Sequence, residues 1–264
     1  MSDFAEGVDS TSGDYPKDKK VNFLKLSDGN KYTIRILEEK ATKVFTHYLN
    51  KYSIACLGDN CPICKRTIEL SLKNPDTFRK DPEYAPRQKR YYVNVLDKTL
   101  VKKCPSCNKE ELNMNAGICN DCSIALVGPE PADTVKVLAK GPAVFGQLNE
   151  YNKAILDETG EPKGIHNFDL TFVVSGKGKE TKITIIPLPT SDAPVEGEYE
   201  LYDVSKVIIA LEADEMLDAQ RGISLGDIFA ARRATSEADN VMSAEVPVEL
   251  QKEVDSAVDK LFTQ

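Results

Sequence analysis

Every cysteine of this chain, and one of its two histidines, falls into two short clusters with metal-ligand spacing. The first is His47, Cys56, Cys61 and Cys64, spaced H-x8-C-x4-C-x2-C. The second is Cys104, Cys107, Cys119 and Cys122, spaced C-x2-C-x11-C-x2-C. Each offers four soft donors, the number that a tetrahedral structural zinc ion takes from protein, with no position left for a substrate water. Thiolate and imidazole favour zinc over magnesium or calcium, and a closed ligand set argues against metal catalysis. The expected cofactors are therefore two structural Zn2+ ions.

The second cluster is the stronger pattern, because Cys104-Pro-Ser-Cys107 and Cys119-Asn-Asp-Cys122 are both tight knuckles of a zinc ribbon. The competing reading is a disulfide pair or a set of unrelated buried thiols. The N-terminal residues show no basic-then-apolar export signal. A reducing cytoplasm is thus the expected location, and there disulfides are disfavoured. In the first cluster three cysteines need a fourth ligand, and His47 is the only nearby histidine. It lies in an apparent strand, where a plain core or surface histidine is the alternative.

Catalytic signatures are missing. There is no G-x4-GK[ST], no HExxH and no defensible nuclease carboxylate cluster. His166, in Gly-Ile-His-Asn-Phe, reads as a turn residue. With both clusters consumed by metal, no thiol nucleophile is left over. The expectation is a binding protein and not an enzyme.

Charge suggests what it binds. The chain of 264 residues has a formal net charge of −8. Residues 15–189, however, hold 28 bases and 21 acids, a net of +7. Residues 190–264 hold 17 acids and 6 bases, a net of −11, and the first 14 residues add −4. A basic body between acidic ends suits a polyanion binder with a competing tail, while a solvated surface of mixed charge is the plainer alternative. No apolar run approaches the roughly 20 residues of a membrane span.

The elements that must position these residues are mostly strands. Lys31–Leu37 alternates as a strand, and Thr42–Tyr52 reads as a second. Pro62–Leu72 suits a helix beginning on the knuckle. Asn74–Pro86 is a polar loop, and Arg90–Leu96 is the clearest strand in the chain. Thr134–Ala139 resumes the sheet, Ala143–Leu156 has helical spacing, and Phe168–Ser175 pairs with Lys182–Pro187 around the Gly176-Lys177-Gly178 turn. This pattern suits a mostly β (α+β) fold: a small closed barrel of the OB type carrying the ribbon as an insertion, with an SH3-like barrel fitting equally by pattern.

The implied organisation is a flexible arm at 1–20, a core at 21–189 with a knuckle at 47–64 and a ribbon at 104–122, a helical extension at 190–235, and a tail at 236–264. In the extension Tyr202–Leu217 and Ser224–Arg233 read as helices, and Ser236–Ala244 reads as a loop. Pro247–Phe262 reads as an acidic amphipathic helix with its stripe on Leu250, Val254, Val258 and Leu261.

Aromatic and basic residues interleave most densely at Arg87-Gln88-Lys89-Arg90-Tyr91-Tyr92. Tyr91 and Tyr92 must point to opposite faces of a strand, so one could face out and stack on an unpaired base, beside cations for the phosphates. Tyr48 and Tyr52 lie on one face of the second expected strand, and Tyr32, Arg35, Lys65, Arg66, Lys136 and Lys140 extend the basic track. For any single tyrosine, core packing is the commoner fate.

The ligand order His47, Cys56, Cys61-Pro-Ile-Cys64, followed by Lys89-Arg90-Tyr91-Tyr92-Val93-Asn94-Val95-Leu96, resembles the core of the T-even-type phage single-stranded DNA-binding proteins. The resemblance covers roughly residues 21–103 and 134–187. It implies an OB fold with one zinc on His47, Cys56, Cys61 and Cys64, and a DNA cleft that includes Lys89, Arg90, Tyr91 and Tyr92. It also implies the coating of unpaired DNA in replication, recombination and repair, partner proteins recruited through the tail, cooperative self-association on DNA and, if the chain is phage-encoded, the host cell cytoplasm. The ribbon has no counterpart in the best-known member, and Lys17, Lys19 and Lys20 are a weak stand-in for the family's basic–hydroxyl arm. A different class remains open: a zinc-ribbon transcription factor or polymerase-associated protein.

Overall fold

The computed structural model describes residues 8–9, 21–189 and 198–242. In chain order its strands are β1 (Val8–Asp9), β2 (Lys31–Ile36), β3 (Thr42–Leu49), β4 (Tyr52–Ala55), β5 (Gln88–Asp97) and β6 (Leu100–Lys103). They continue with β7 (Glu110–Glu111), β8 (Val127–Pro131), β9 (Thr134–Lys140), β10 (Asp169–Ser175) and β11 (Lys182–Leu188). The helices are α1 (Pro62–Lys73), α2 (Pro142–Ala154), α3 (Val204–Val207), α4 (Ala213–Gln220) and α5 (Leu225–Met242). The protein is mostly β with antiparallel sheets. Among the described residues no helix is long and apolar enough to cross a membrane.

Strand β5 is the spine of the larger sheet. It pairs with β9 from Tyr91 to Asp97 along one edge. Along the other edge its first half pairs with β3 and its last residues with β2. Strand β2 continues to β10, and β10 to β11. No β9–β11 pairing closes this sheet among the described residues, so the expected closed barrel is not seen. A second, three-stranded sheet in the order β7-β6-β8 forms the inserted ribbon.

Both faces of β5 are covered, which explains its unbroken burial from Tyr91 to Asp97. On one face Tyr91, Val93 and Val95 join Phe145 and Leu148 of α2 with Phe168, Leu170 and Phe172 in the main core. On the other, Tyr92 packs with Val44, Val137, Val204, Val207 and Ile208. Most of the second cover comes from the α3 segment, more than a hundred residues downstream of β5.

Three expectations are corrected. Thr42–Tyr52 is not one strand: Asn50 and Lys51, at φ 45° and 72°, make a left-handed turn between β3 and β4. Tyr202–Leu217 is not one helix, because the chain is extended at Ile208 between α3 and α4. Ser236–Met242 is helical and not a loop. Its serine, aspartate and asparagine cost only tenths of a kcal/mol each, and extending a helix is far easier than nucleating one. The expected helix Pro247–Phe262, and the arm apart from Val8–Asp9, lie outside the described residues.

The chain divides into two compact units. The first holds both sheets. The second comprises Leu49–Lys51 and, among the described residues, 212–242. In the second, a capping box of Glu212 and Glu215 starts α4, and Arg232 of α5 donates from Nε to Glu215 at 2.7 Å.

Candidate metal centres and nucleic-acid interface

The first cluster gathers ligands from three elements. His47 is on β3, Cys56 follows β4, Cys61 is the N-cap of α1, and Cys64 lies in its first turn. All four donor atoms lie within 4.8 Å of one another. His47 Nε2 is 3.3 Å from Cys61 Sγ and 3.4 Å from Cys64 Sγ, and Cys56 Sγ is 3.6 Å from Cys64 Sγ. The other ring nitrogen, Nδ1, is 2.7 Å from the Ala85 carbonyl. A carbonyl only accepts, so Nδ1 carries the proton and Nε2 offers its lone pair to the sulfur cluster. This is the outer hydrogen bond that orients metal-bound histidines.

The second cluster is built from two copies of one backbone knuckle. Cys104 N–H donates to Lys109 O at 3.0 Å, and Asn108 N–H donates to Cys104 O at 2.9 Å. Cys119 N–H donates to Ile124 O at 2.8 Å, and Ser123 N–H donates to Cys119 O at 2.9 Å. Asn108 and Ser123, each just after the second cysteine of its knuckle, share φ 56°. Cys104 Sγ is 3.2 Å from Cys122 Sγ, and Cys107 Sγ is 3.7 Å from Cys119 Sγ. Lys109 pairs with Asp121 at 2.8 Å and ties one knuckle to the other.

The acid–base state of the thiols tests whether a dication fits. In the first cluster burial pushes Cys64 up to about 12, and the neighbouring Cys56 and Cys61 sulfurs reinforce it. Burial also opposes ionisation of Cys61, but the His47 ring and the N–H groups of Cys64 and Leu57 outweigh it and hold that thiol at about 6. In the ribbon the Cys107 backbone N–H brings Cys104 down to about 6, whereas the adjacent Cys104 and Cys119 sulfurs drive Cys122 up to about 12. Within each set, ionisation of one thiol is favoured while the neighbouring sulfurs oppose ionisation of another. A divalent cation removes that conflict by binding all the thiolates at once. Two tetrahedral-like donor sets compatible with zinc are thus in place.

The expected DNA-binding residues divide sharply. Tyr91 and Tyr92 are only 6% and 5% exposed, so neither faces out. Tyr91 stacks on Phe145 with centroids 5.0 Å apart, and Tyr92 lies beneath the α3 segment. The expected outward tyrosine fails because β5 has no open face from Tyr91 onward. Tyr32 is also buried, its hydroxyl accepting the Ser27 N–H at 2.9 Å. Arg35 is buried against Asp169 at 2.6 Å, and Lys98 reaches the same carboxylate at 2.7 Å. Lys136 pairs with Asp97 at 2.8 Å and with Glu110 of β7 at 3.4 Å, so its charge holds the ribbon to the main sheet.

Lys89 is exposed, Tyr48 is 56% exposed, and Arg90 and Lys140 are half-buried. Burial lowers the Lys140 pKa, and the Arg90 guanidinium lowers it further. Among the described residues no carboxylate pairs with Arg90 or Lys140.

Phe45 is the residue that sequence reasoning missed. It faces Lys89 in the β3–β5 register, and the Arg87 guanidinium carbon stands 3.8 Å from its ring centroid, with Lys89 Nζ at 5.9 Å. The period-two alternation of Lys43, Phe45 and His47 was the signal that could have found it. No protein-family model matches the chain, and no curated protein matches it.

Proposed function

We propose that this protein binds single-stranded DNA without sequence preference and without turnover, coating unpaired strands during replication, recombination and repair. The observation that carries the reading is a run of cations leading into and along β5: Arg87 and Lys89 at the Phe45 ring, followed by Arg90 with its neighbour Lys140 on the adjoining β9, both half-buried and without a paired carboxylate among the described residues. Two adjacent cations without a counter-charge suit an anionic ligand, and an aromatic ring with a guanidinium beside it suits unpaired bases. Strand order supports it too. The adjacencies β9-β5-β2-β10-β11, with α2 between β9 and β10, are compatible with an OB fold, which is a partly open barrel. On this reading both zincs are structural and the tail recruits replication and recombination proteins.

The test is titration of fluorescent oligo-dT at two salt concentrations. Affinity is expected to fall with salt at a slope of roughly −0.7 per phosphate contact. Phe45→Leu should weaken binding by about 1–3 kcal/mol for each base it stacks, with the fold retained. Equal affinity for duplex, or no dependence on salt, sinks the reading.

One observation favours a second reading. Leu100, Ile118 and Val127 in or beside the ribbon are more than half exposed. Such a surface suits a polymerase-associated or transcription protein, which would bind that machine tightly and free oligonucleotide poorly.

A further inference from the structure

We infer that His47 is a positioning residue for the nucleic-acid surface: through the Ala85 carbonyl, the centre formed by His47 and its three cysteines fixes where Arg87 stands over Phe45. The inference rests on the single-strand-binding reading.

The path is short and contiguous. His47 and Phe45 are two residues apart on β3, on one face of the strand. The segment leading into β5 crosses both side chains. It meets His47 at Ala85, where Nδ1–H donates to the carbonyl at 2.7 Å, and it meets Phe45 at Arg87, 3.8 Å from the ring centroid. Between them lies Pro86, which fixes its own φ and restricts Ala85 to extended backbone. Few torsions are therefore free to absorb a change at Ala85 before it reaches Arg87. Helix α1, which carries Cys61 and Cys64, holds the same segment: Thr67 Oγ1 donates to Ala85 O at 3.4 Å, and Arg66 Nε donates to Glu83 at 2.6 Å. The ligand-bearing elements and the loop that delivers Arg87 thus share their anchors. With the centre assembled, the guanidinium lies ordered on the ring, and ring and guanidinium together present a wider stacking platform to a base.

His47→Cys separates this role from metal binding, since it keeps four soft ligands and removes the Nδ1–H donor. The variant should retain two zincs per chain by elemental analysis and a cooperative melt. Its oligo-dT affinity should nevertheless fall several-fold, to the level of Arg87→Ala. The double variant should bind no more weakly than Arg87→Ala alone, and the Phe45 ring-proton shifts of His47→Cys should move toward those of Arg87→Ala. A His47→Cys protein with two zincs and wild-type affinity and ring shifts overturns the inference, as do losses that multiply in the double variant.

If His47→Cys does not hold two zincs, stepwise zinc withdrawal from wild-type and Arg87→Ala proteins decides the matter. Emptying the His47 site should weaken wild type several-fold and leave Arg87→Ala unchanged, and equal losses overturn the proposal. Wild-type protein that ignores oligo-dT sinks the DNA reading instead, and the Phe45 ring shifts then decide the relay by themselves.

Discussion

Asn94 is fully buried, and its side chain takes the place of a strand partner. It sits where the edge of β5 passes from β3 to β2. There its Nδ2 donates to the Tyr202 carbonyl at 2.9 Å, and its Oδ1 accepts the Tyr202 N–H at 3.0 Å. Two hydrogen bonds to one backbone unit clamp the α3 segment over Tyr92. Beside it the Glu38 carboxylate accepts the Asn94 backbone N–H at 2.5 Å. Burial raises the Glu38 pKa, and the bonds from Asn94 offset only part of that rise. A carboxyl whose folded pKa is raised holds its proton more tightly in the native state. Stability therefore falls as pH rises through the ordinary carboxylate range to the folded pKa, and the full cost persists above it. Glu38→Gln keeps an oxygen acceptor and removes the half-buried charge. Thermal melts should show a higher Tm for the variant at neutral pH, with the advantage shrinking as pH drops below the ordinary carboxylate range. A lower Tm at neutral pH would mean that the charge contributes more through Asn94 than burial costs.

Among the elements, the knuckles and β5 behave differently toward a reader of sequence. The knuckles are local. Cys61 and Cys64 occupy one helical turn, and the ribbon's paired turns repeat the same backbone bonds, so ligand identity was legible from spacing alone. Because the two donor sets share no residue, Cys107→Ser is expected to release one zinc and leave the other. Elemental analysis should read one zinc per chain, with the far-UV signal of the main sheet retained. Loss of both ions would show the centres to be interdependent. Strand β5 was legible as a strand, but the fate of its tyrosines was not. Alternation places Tyr91 and Tyr92 on opposite faces and says nothing of what covers each. The cover over Tyr92 comes from Val204, Val207 and Ile208, far along the chain. Arg35 and Lys136 were misread for the same reason, because their partners Asp169, Asp97 and Glu110 are identified only once strands pair.

At the scale of the whole molecule, charge is sorted along the chain. The last stretch, residues 243–264, carries five acids against two lysines. On the single-strand-binding reading, such a segment tethered to a basic body would compete with DNA at high effective concentration, and salt would screen the competition. The continuation of α5 to Met242 moves the cut that tests this. Truncation after Met242 spares the helix, whereas truncation after residue 235 removes its last turns. The chain ending at Met242 should fold, bind oligo-dT more tightly at low salt and match the full chain at high salt. A fluorescence titration at both salts checks it, and unchanged low-salt affinity removes the competition.

The position of the ribbon has a kinetic corollary for the same molecule. Strands β5 and β9 pair without interruption from Tyr91 to Asp97, with Asp97 opposite Thr134, so segment 98–133 must be closed as a loop before they can zip. The ribbon sheet brings the ends of that loop together by itself, since Leu100 pairs with Pro131. Once a cation organises the Cys104–Cys122 knuckles, the chain left to close shrinks to a few residues at either end. By loop-closure entropy this lowers the cost of docking β9 onto β5 by ~2 kcal/mol. The ribbon thus serves as a staple that shortens the search for the central strand pair, quite apart from anything its surface touches.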